Sequence, residues 1–160
     1  MSGMDPVNVD AMLARFAEHW SPKKIAQIND YDVRIVKLQG EFTWHKHDDT
    51  DELFLVLSGE LTIQMRDRDV VLGPWDLFVV PRGAEHCPRA EVETAVLLLD
   101  PSSVINTGDS GGEFTADVET LSQLPVTAQD PIRGIMPVIL VKWIMACSGS
   151  GGLRWRRWCR

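Results

Sequence analysis

The run ELFLVLSGELTIQMRDRDVVLG, residues 52–73, reads as strand, tight turn, strand, tight turn, strand. Ser58-Gly59-Glu60 and Asp67-Arg68-Asp69 supply the turns, because glycine and aspartate tolerate the backbone angles that a reversal needs. The segments between them alternate apolar and polar residues, as half-buried strands do. Upstream, DVRIVKLQG (32–40) alternates in the same way. Downstream, DLFVVPRG (76–83) and TAVLLLD (94–100) continue the pattern. Closely spaced strands from residue 24 to about 100, with no helix between them, predict an antiparallel sandwich or barrel.

The flanks differ from this block. NVDAMLARFAEHW (8–20) places Met12, Leu13, Phe16 and Trp20 at helical spacing, with Asn8 or Asp10 as cap and Pro22 as terminator. An N-terminal helical segment, residues 1–23, is expected to cover an edge or open end of the barrel. Residues 24–124 hold the barrel and a Ser-, Gly- and Asp-rich extension from residue 101, expected to run over the surface and to pair with another subunit. Residues 125–160 form an atypical tail, expected to be poorly ordered. Its apolar run IMPVILVKWIMAC (135–147) is interrupted by Pro137 and Lys142 and is too short to span a bilayer. Residues 1–130 carry ten basic residues against 23 acids, whereas residues 131–160 carry six basic residues and no acid. The basic, Trp-rich end LRWRRWCR suits an anionic membrane surface. Its break with the body in charge and strand pattern favours another reading, a shifted reading frame or an appended remnant.

Bulk composition narrows the function. The 160-residue length fits one domain, and 44% apolar with 24% charged residues is ordinary for a globular chain. A net charge of −7 argues against nucleic acid as a partner. The three cysteines form no CxxC pair, and the N-terminus has neither a basic start nor an apolar stretch. A reducing, cytoplasmic setting is therefore expected.

Three of the four histidines sit where a strand fold can bring them together. On a strand through TWHKH (43–47), His45 and His47 point to one face, and Trp44 and Lys46 to the other. After the turn DDTD, Glu52 opens the next strand; if it points inward, so do Phe54 and Val56. His86 follows the turn at Pro81 and Gly83, which can swing a short strand back across the barrel. Three neutral imidazoles and one carboxylate, with one or two positions left open, form a site for a divalent transition metal: iron, manganese, nickel, copper or zinc.

These residues resemble the cupin superfamily. Its first motif is matched by Gly40, His45, His47, Glu52 and Gly59, and its second by Asp76, Pro81, Gly83 and His86. The resemblance covers about residues 33–100 and is closest to small single-domain bacterial members. It implies an all-β jelly-roll barrel, or double-stranded β-helix, with the metal inside and a homodimer as the assembly. It makes His45, His47, Glu52 and His86 the expected ligands, with Phe54, Val56 and Pro88 walling the pocket and Asp76 and Gly83 shaping turns. Cys87 is expected to face away. The chain departs from the pattern at three points. Four residues separate Gly40 from His45, one fewer than is usual, which implies either a bulge or a glycine off register. Trp75 stands where glycine is frequent, and Ala90 where asparagine often closes the second motif.

The resemblance makes an enzyme the first expectation, an oxygenase or an isomerase whose metal orients a small polar metabolite and stabilises developing negative charge. Glu52 is the one candidate proton acceptor. Arg34, Arg66, Arg82 and Arg89 are scattered in sequence and mark no anion clamp. The alternative is a non-catalytic module that binds or senses a metal or small ligand.

Overall fold

In the computed structural model, which describes residues 5–122, the alternation of residues 52–72 becomes three successive strands: β3 (Glu52–Ser58), β4 (Leu61–Met65) and β5 (Asp69–Leu72). They follow a short helix α1 (Val9–Leu13) and strands β1 (Lys23–Ile28) and β2 (Tyr31–Glu41). After them come β6 (Leu77–Val80), the long β7 (His86–Pro101) and β8 (Glu119–Thr120). The result is an all-β jelly roll whose named strands pair antiparallel, apart from the short parallel β1–β8 contact.

β7 organises the roll. Its first part pairs with β4, setting His86 opposite Met65 and Pro88 opposite Ile63. Its second part lies between β2 and β3, setting Val96 opposite both Val36 and Val56. Inward residues from both parts form the core: Val36, Leu38, Phe54, Val56, Leu61, Ile63, Leu72, Val80, Ala90, Val96 and Leu98. Each side chain that is fully buried there stabilises the fold by about 1.5–3 kcal/mol. Gly59 permits the β3–β4 reversal at φ +83, and a Cβ there would come within 2.8 Å of the Thr94 backbone. The bulge implied by the Gly40 spacing is present. The β2–β7 register shifts between Leu38 and Gly40, and Gly40 sits at φ +87.

The N-terminal segment departs from the predicted 8–20 helix. Asn8 caps it, accepting a bond from the Ala11 N–H at 2.9 Å, but the helix stops at Leu13. Downstream the backbone finds other partners: His19 bridges Lys37, and the Trp20 N–H donates to the Lys37 carbonyl at 2.9 Å. Trp20 adopts φ +58, which turns the chain along β2. Met12 and Phe16 pack with Ile25, Ile35 and Leu121, so this part of the segment covers a face of the sheet.

The extension beyond residue 101 pairs within its own chain. β8 adds to β1, Thr107 is buried, and Phe114 lies 5.0 Å from the Phe42 ring. No helix of the described residues is long and apolar enough to cross a membrane. The atypical tail, including Cys147 and Cys159, lies outside the described residues.

Candidate metal centre

The turn after β6 and the loop before β3 build the centre. His45 is not inside a continuous strand as predicted. It forms an isolated bridge with His86, exchanging two backbone bonds of 3.0 and 2.9 Å. The Gly83 N–H donates to the His47 carbonyl at 2.7 Å, so the second-motif turn holds the first motif in place. From the other side, Asp109 accepts from the Lys46 N–H at 3.0 Å and donates its own N–H to the Lys46 carbonyl at 3.2 Å. Gly108, at φ +51, packs so closely on that carbonyl that no side chain fits.

His45, His47 and Glu52 are buried and bring their ligating atoms within 4.8 Å of one another. His86, fully buried, joins them through Glu52, with Nε2 at 2.9 Å from Oε2. Its ring centroid lies 4.3 Å from that of His45 and 6.2 Å from that of His47.

The proton positions show what this cluster lacks. His45 Nδ1 lies 3.0 Å from the Thr43 carbonyl, and His86 Nδ1 lies 3.1 Å from the Ala84 carbonyl. A carbonyl only accepts, so both Nδ1 atoms carry the proton and Nε2 of each neutral ring keeps a lone pair. His86 Nε2 therefore turns a lone pair toward a carboxylate oxygen at 2.9 Å. Only a cation between or beside them, a proton or a metal ion, makes that approach favourable. His47 Nε2 stands 3.4 Å from the same oxygen, near enough for charge attraction but not aligned for a hydrogen bond, and it is buried without another partner. A divalent ion accepts all of these lone pairs at once, so the residues fit a metal.

Without a metal ion, the electrostatics are those of the proton-bridged form of the same cluster. Burial, and then the charge of His86, push the His45 imidazole down to about 4. Burial opposes charge on His47 as well, but Glu52 beside it outweighs burial and raises its pKa. Burial alone would raise the Glu52 carboxyl; the imidazoles of His47 and His86 outweigh it and hold the group at about 2. Glu52 is thus ionised, and so low a pKa makes it a weak base, which suits a ligand better than a proton acceptor.

A cavity of about 40 Å³ opens beside His45 and Glu52. Phe54 and Pro88 are on its wall, whereas Val56 lies in the core and does not reach it. Trp20, Phe42, Leu38 and Asn106 also line it. Sequence spacing pointed to none of these four, since they come from the N-terminal segment, the end of β2 and the extension. Trp44 and Lys46 lie outside the site: Trp44 carries the Arg66 guanidinium at 3.9 Å, and Lys46 pairs with Asp48. Cys87 is buried, and burial pushes its thiol up to about 11, which makes it inert.

Behind Glu52 lies a cluster that the sequence did not reveal. Arg34 is fully buried between Asp32 and Asp100, at 3.4 and 3.6 Å, and its guanidinium reaches the carbonyls of Val104 and Pro101. Lys24 and Ser102 hold Asp32, each at 2.6 Å. Burial, then the Glu52 charge, push Asp100 up to about 7.

The sequence pattern of the cupin domain family matches residues 33–102. A cupin-2 domain containing protein of Shewanella frigidimarina superposes with a TM-score of 0.59 at 42% identity, over 59% of this chain and 93% of that one. The chain belongs to the cupin superfamily. This cupin is also 37% identical to the uncharacterised protein YdbB of Bacillus subtilis (strain 168), over 58% of this chain and 83% of YdbB. A hydroquinone 1,2-dioxygenase of Sphingomonas sp. TTNP3, solved with 4-hydroxybenzoate bound, shares the cupin fold at 16% identity (TM-score 0.53, 61% and 74% of the two chains).

Proposed function

We propose that His45, His47, Glu52 and His86 hold one divalent transition metal, and that this cupin is a small metal-dependent enzyme, an oxygenase or an isomerase of a small metabolite. The observation that carries the reading is the convergence of the His45, His47 and Glu52 ligating atoms within 4.8 Å, with His86 Nε2 at 2.9 Å from Glu52 and the Nδ1 atoms of His45 and His86 committed to carbonyls. The ion would supply a Lewis acid that polarises a coordinated oxygen. The chain's own contribution is positional. The Thr43 and Ala84 carbonyls fix two rings, Glu52 balances charge, and Phe54 and Pro88 keep water from one side of the site. The fold shared with hydroquinone 1,2-dioxygenases is compatible with oxygenase chemistry without selecting it.

A non-catalytic binding or sensing module is the second reading. It is favoured by one feature: among the described residues, no titratable group other than His45 and Glu52 lines the cavity. Elemental analysis of the purified full chain tests the metal, with about one equivalent per chain expected and its absence ending the reading. Oxygen uptake and isomerisation assays with diketones, sugars and hydroxy acids then separate the two, since a full complement of metal without turnover on such a panel favours the binding module. A second copy of the chain is the proposed protein partner, supported by the exposed Leu77 and Val79 on β6. Light scattering that returned a monomer at micromolar concentration would end that proposal.

A further inference from the structure

The cavity beside the candidate centre has very few uncommitted polar atoms on its wall. Apart from His45 and Glu52, its polar side chains are Trp20 and Asn106. Trp20 Nε1 already donates to the Gln39 carbonyl at 2.9 Å. Asn106 uses both ends of its amide within the extension: Nδ2 donates to the Phe114 carbonyl at 2.8 Å, and Oδ1 accepts from the Ala116 N–H at 3.1 Å. The rest of the wall is hydrocarbon and aromatic, with Leu38, Phe54 and Leu98 behind and Phe42 stacked on Trp20 at 4.8 Å in front. Away from His45 and Glu52, a ligand hydroxyl finds no free side-chain hydrogen-bond partner among the described residues of this wall, and burying one unpaired is strongly unfavourable.

Size narrows the ligand further. One water needs roughly 10–15 Å³ of such space, so 40 Å³ holds about three or four heavy atoms. We infer that this cupin selects a ligand with a single polar end for the cation and an apolar body of about three or four heavy atoms within the cavity, and that it rejects hydroxyl-rich metabolites. Trp20 and Phe42 set this preference as the front wall. The inference rests on the proposed metal reading for the polar end only; the apolar wall is independent of it. It also narrows the polar metabolite expected from the ligand set alone.

The test uses two carboxylates with the same head and the same number of heavy atoms, pentanoate and 4-hydroxybutanoate. Each is titrated by calorimetry into the full chain loaded with zinc, after elemental analysis has given the metal content. Pentanoate is expected to bind at least about tenfold more tightly, the ratio set by one buried, unpaired hydroxyl. Equal affinity, a preference for 4-hydroxybutanoate, or no binding of either to metal-loaded protein would overturn the inference. If the chain takes up no metal, the metal reading fails on that measurement alone. The same pair titrated into metal-free protein then still interrogates the wall, where a pentanoate preference upholds the inference and parity overturns it. Phe42→Gln, an amide introduced at a partly buried wall position, should shrink the ratio at least threefold. An unchanged ratio in a folded variant would remove Phe42 from the selecting wall.

Discussion

The barrel interior has two unlike ends built on the same strands. At one level Val36, Val56 and Val96 meet as hydrocarbon. Four residues further along β7, about 13 Å at strand rise, Asp100 lies opposite Asp32 and close in register to Glu52. The hydrocarbon end stabilises the fold. The other end holds buried charges whose contacts are long, with Arg34 at 3.4 and 3.6 Å from its two carboxylates and Arg34 Nε and Asp100 Oδ1 buried without a hydrogen bond. Buried ion pairs of that geometry contribute little net stability. One end therefore makes the fold, and the other uses it to hold groups that would not stay buried by themselves.

A reciprocal pair of substitutions tests that division most strongly. Glu52→Gln removes the only anionic group in the candidate ligand set. Metal content should fall from about one per chain to less than about a tenth, while the variant stays folded in chelator with a lowered denaturation midpoint, because the paired carboxylate is lost. Leu61→Ala, at the hydrocarbon end opposite Leu72, should cost about 2–5 kcal/mol and leave the metal content of the folded protein unchanged. Metal loss in a folded Leu61→Ala protein, or unfolding of Glu52→Gln, would break the comparison.

The extension that clamps the polar end gives a smaller effect. Gly108→Ala forces a methyl against the Lys46 carbonyl between the two histidines, at a positive φ. Gly111→Ala meets the same backbone penalty at φ +60 but open space. The first should lose about 1–3 kcal/mol and at least tenfold in metal affinity, and the second about 1 kcal/mol and no metal affinity. Matching metal affinities in the two variants would mean that the clamp does not position the histidines.

Two titrating groups at the polar end oppose each other. His45 is held neutral down to about pH 4, whereas the unfolded chain takes up a proton near 6.5. Its contribution is present above 6.5 and lost as pH falls toward 4. Asp100 runs the other way: raised to about 7 from 3.8, it contributes fully below 3.8 and loses that contribution as pH rises through 7. Between pH 4 and 6.5 the two largely cancel in metal-free protein. Asp100→Asn keeps a neutral, hydrogen-bonding group and removes the second contribution. The variant should then lose about 1–3 kcal/mol more than the parent on acidification from pH 6.5 to about 4.5, read from denaturant midpoints in chelator. Parallel curves would show that Asp100 does not carry a proton in the folded state.

The hydrocarbon end and the candidate ligands were legible because both follow strand alternation and short-range turns. His45, His47 and Glu52 converge through a single loop, and Gly83 ties His86 to them by one backbone bond to His47. Arg34 was not legible. In DVRIVKLQG the charged phase of the strand normally faces water, yet both faces of β2 are covered. Met12 and Phe16 cover Ile35 from outside, which leaves Asp32 and Arg34 inside with Val36 and Leu38. Trp20 was misread for a related reason. Its helical spacing from Phe16 is real, but a positive φ and a bond to Lys37 carry it to the cavity. Such placements depend on contacts distant in sequence, which periodicity does not record.

The smallest effect separates local strain from function. Trp75 stands where the family pattern favours glycine, and its backbone shows why: φ is +71, and the side chain is 75% exposed. Its N–H donates to the Val56 carbonyl at 2.7 Å, which holds the turn against the hydrocarbon end of the barrel. A left-handed non-glycine residue costs about 1–2 kcal/mol. Trp75→Gly relieves that strain but adds backbone freedom to the unfolded chain, worth up to about 1 kcal/mol in the other direction. The expected net change is a gain of no more than about 1 kcal/mol, with metal content unaltered, measured by denaturant midpoint and elemental analysis. A loss of more than about 1 kcal/mol would mean that the exposed indole makes a stabilising contact worth more than its strain, and the apolar surface it shares with Leu77 would then be its first candidate partner.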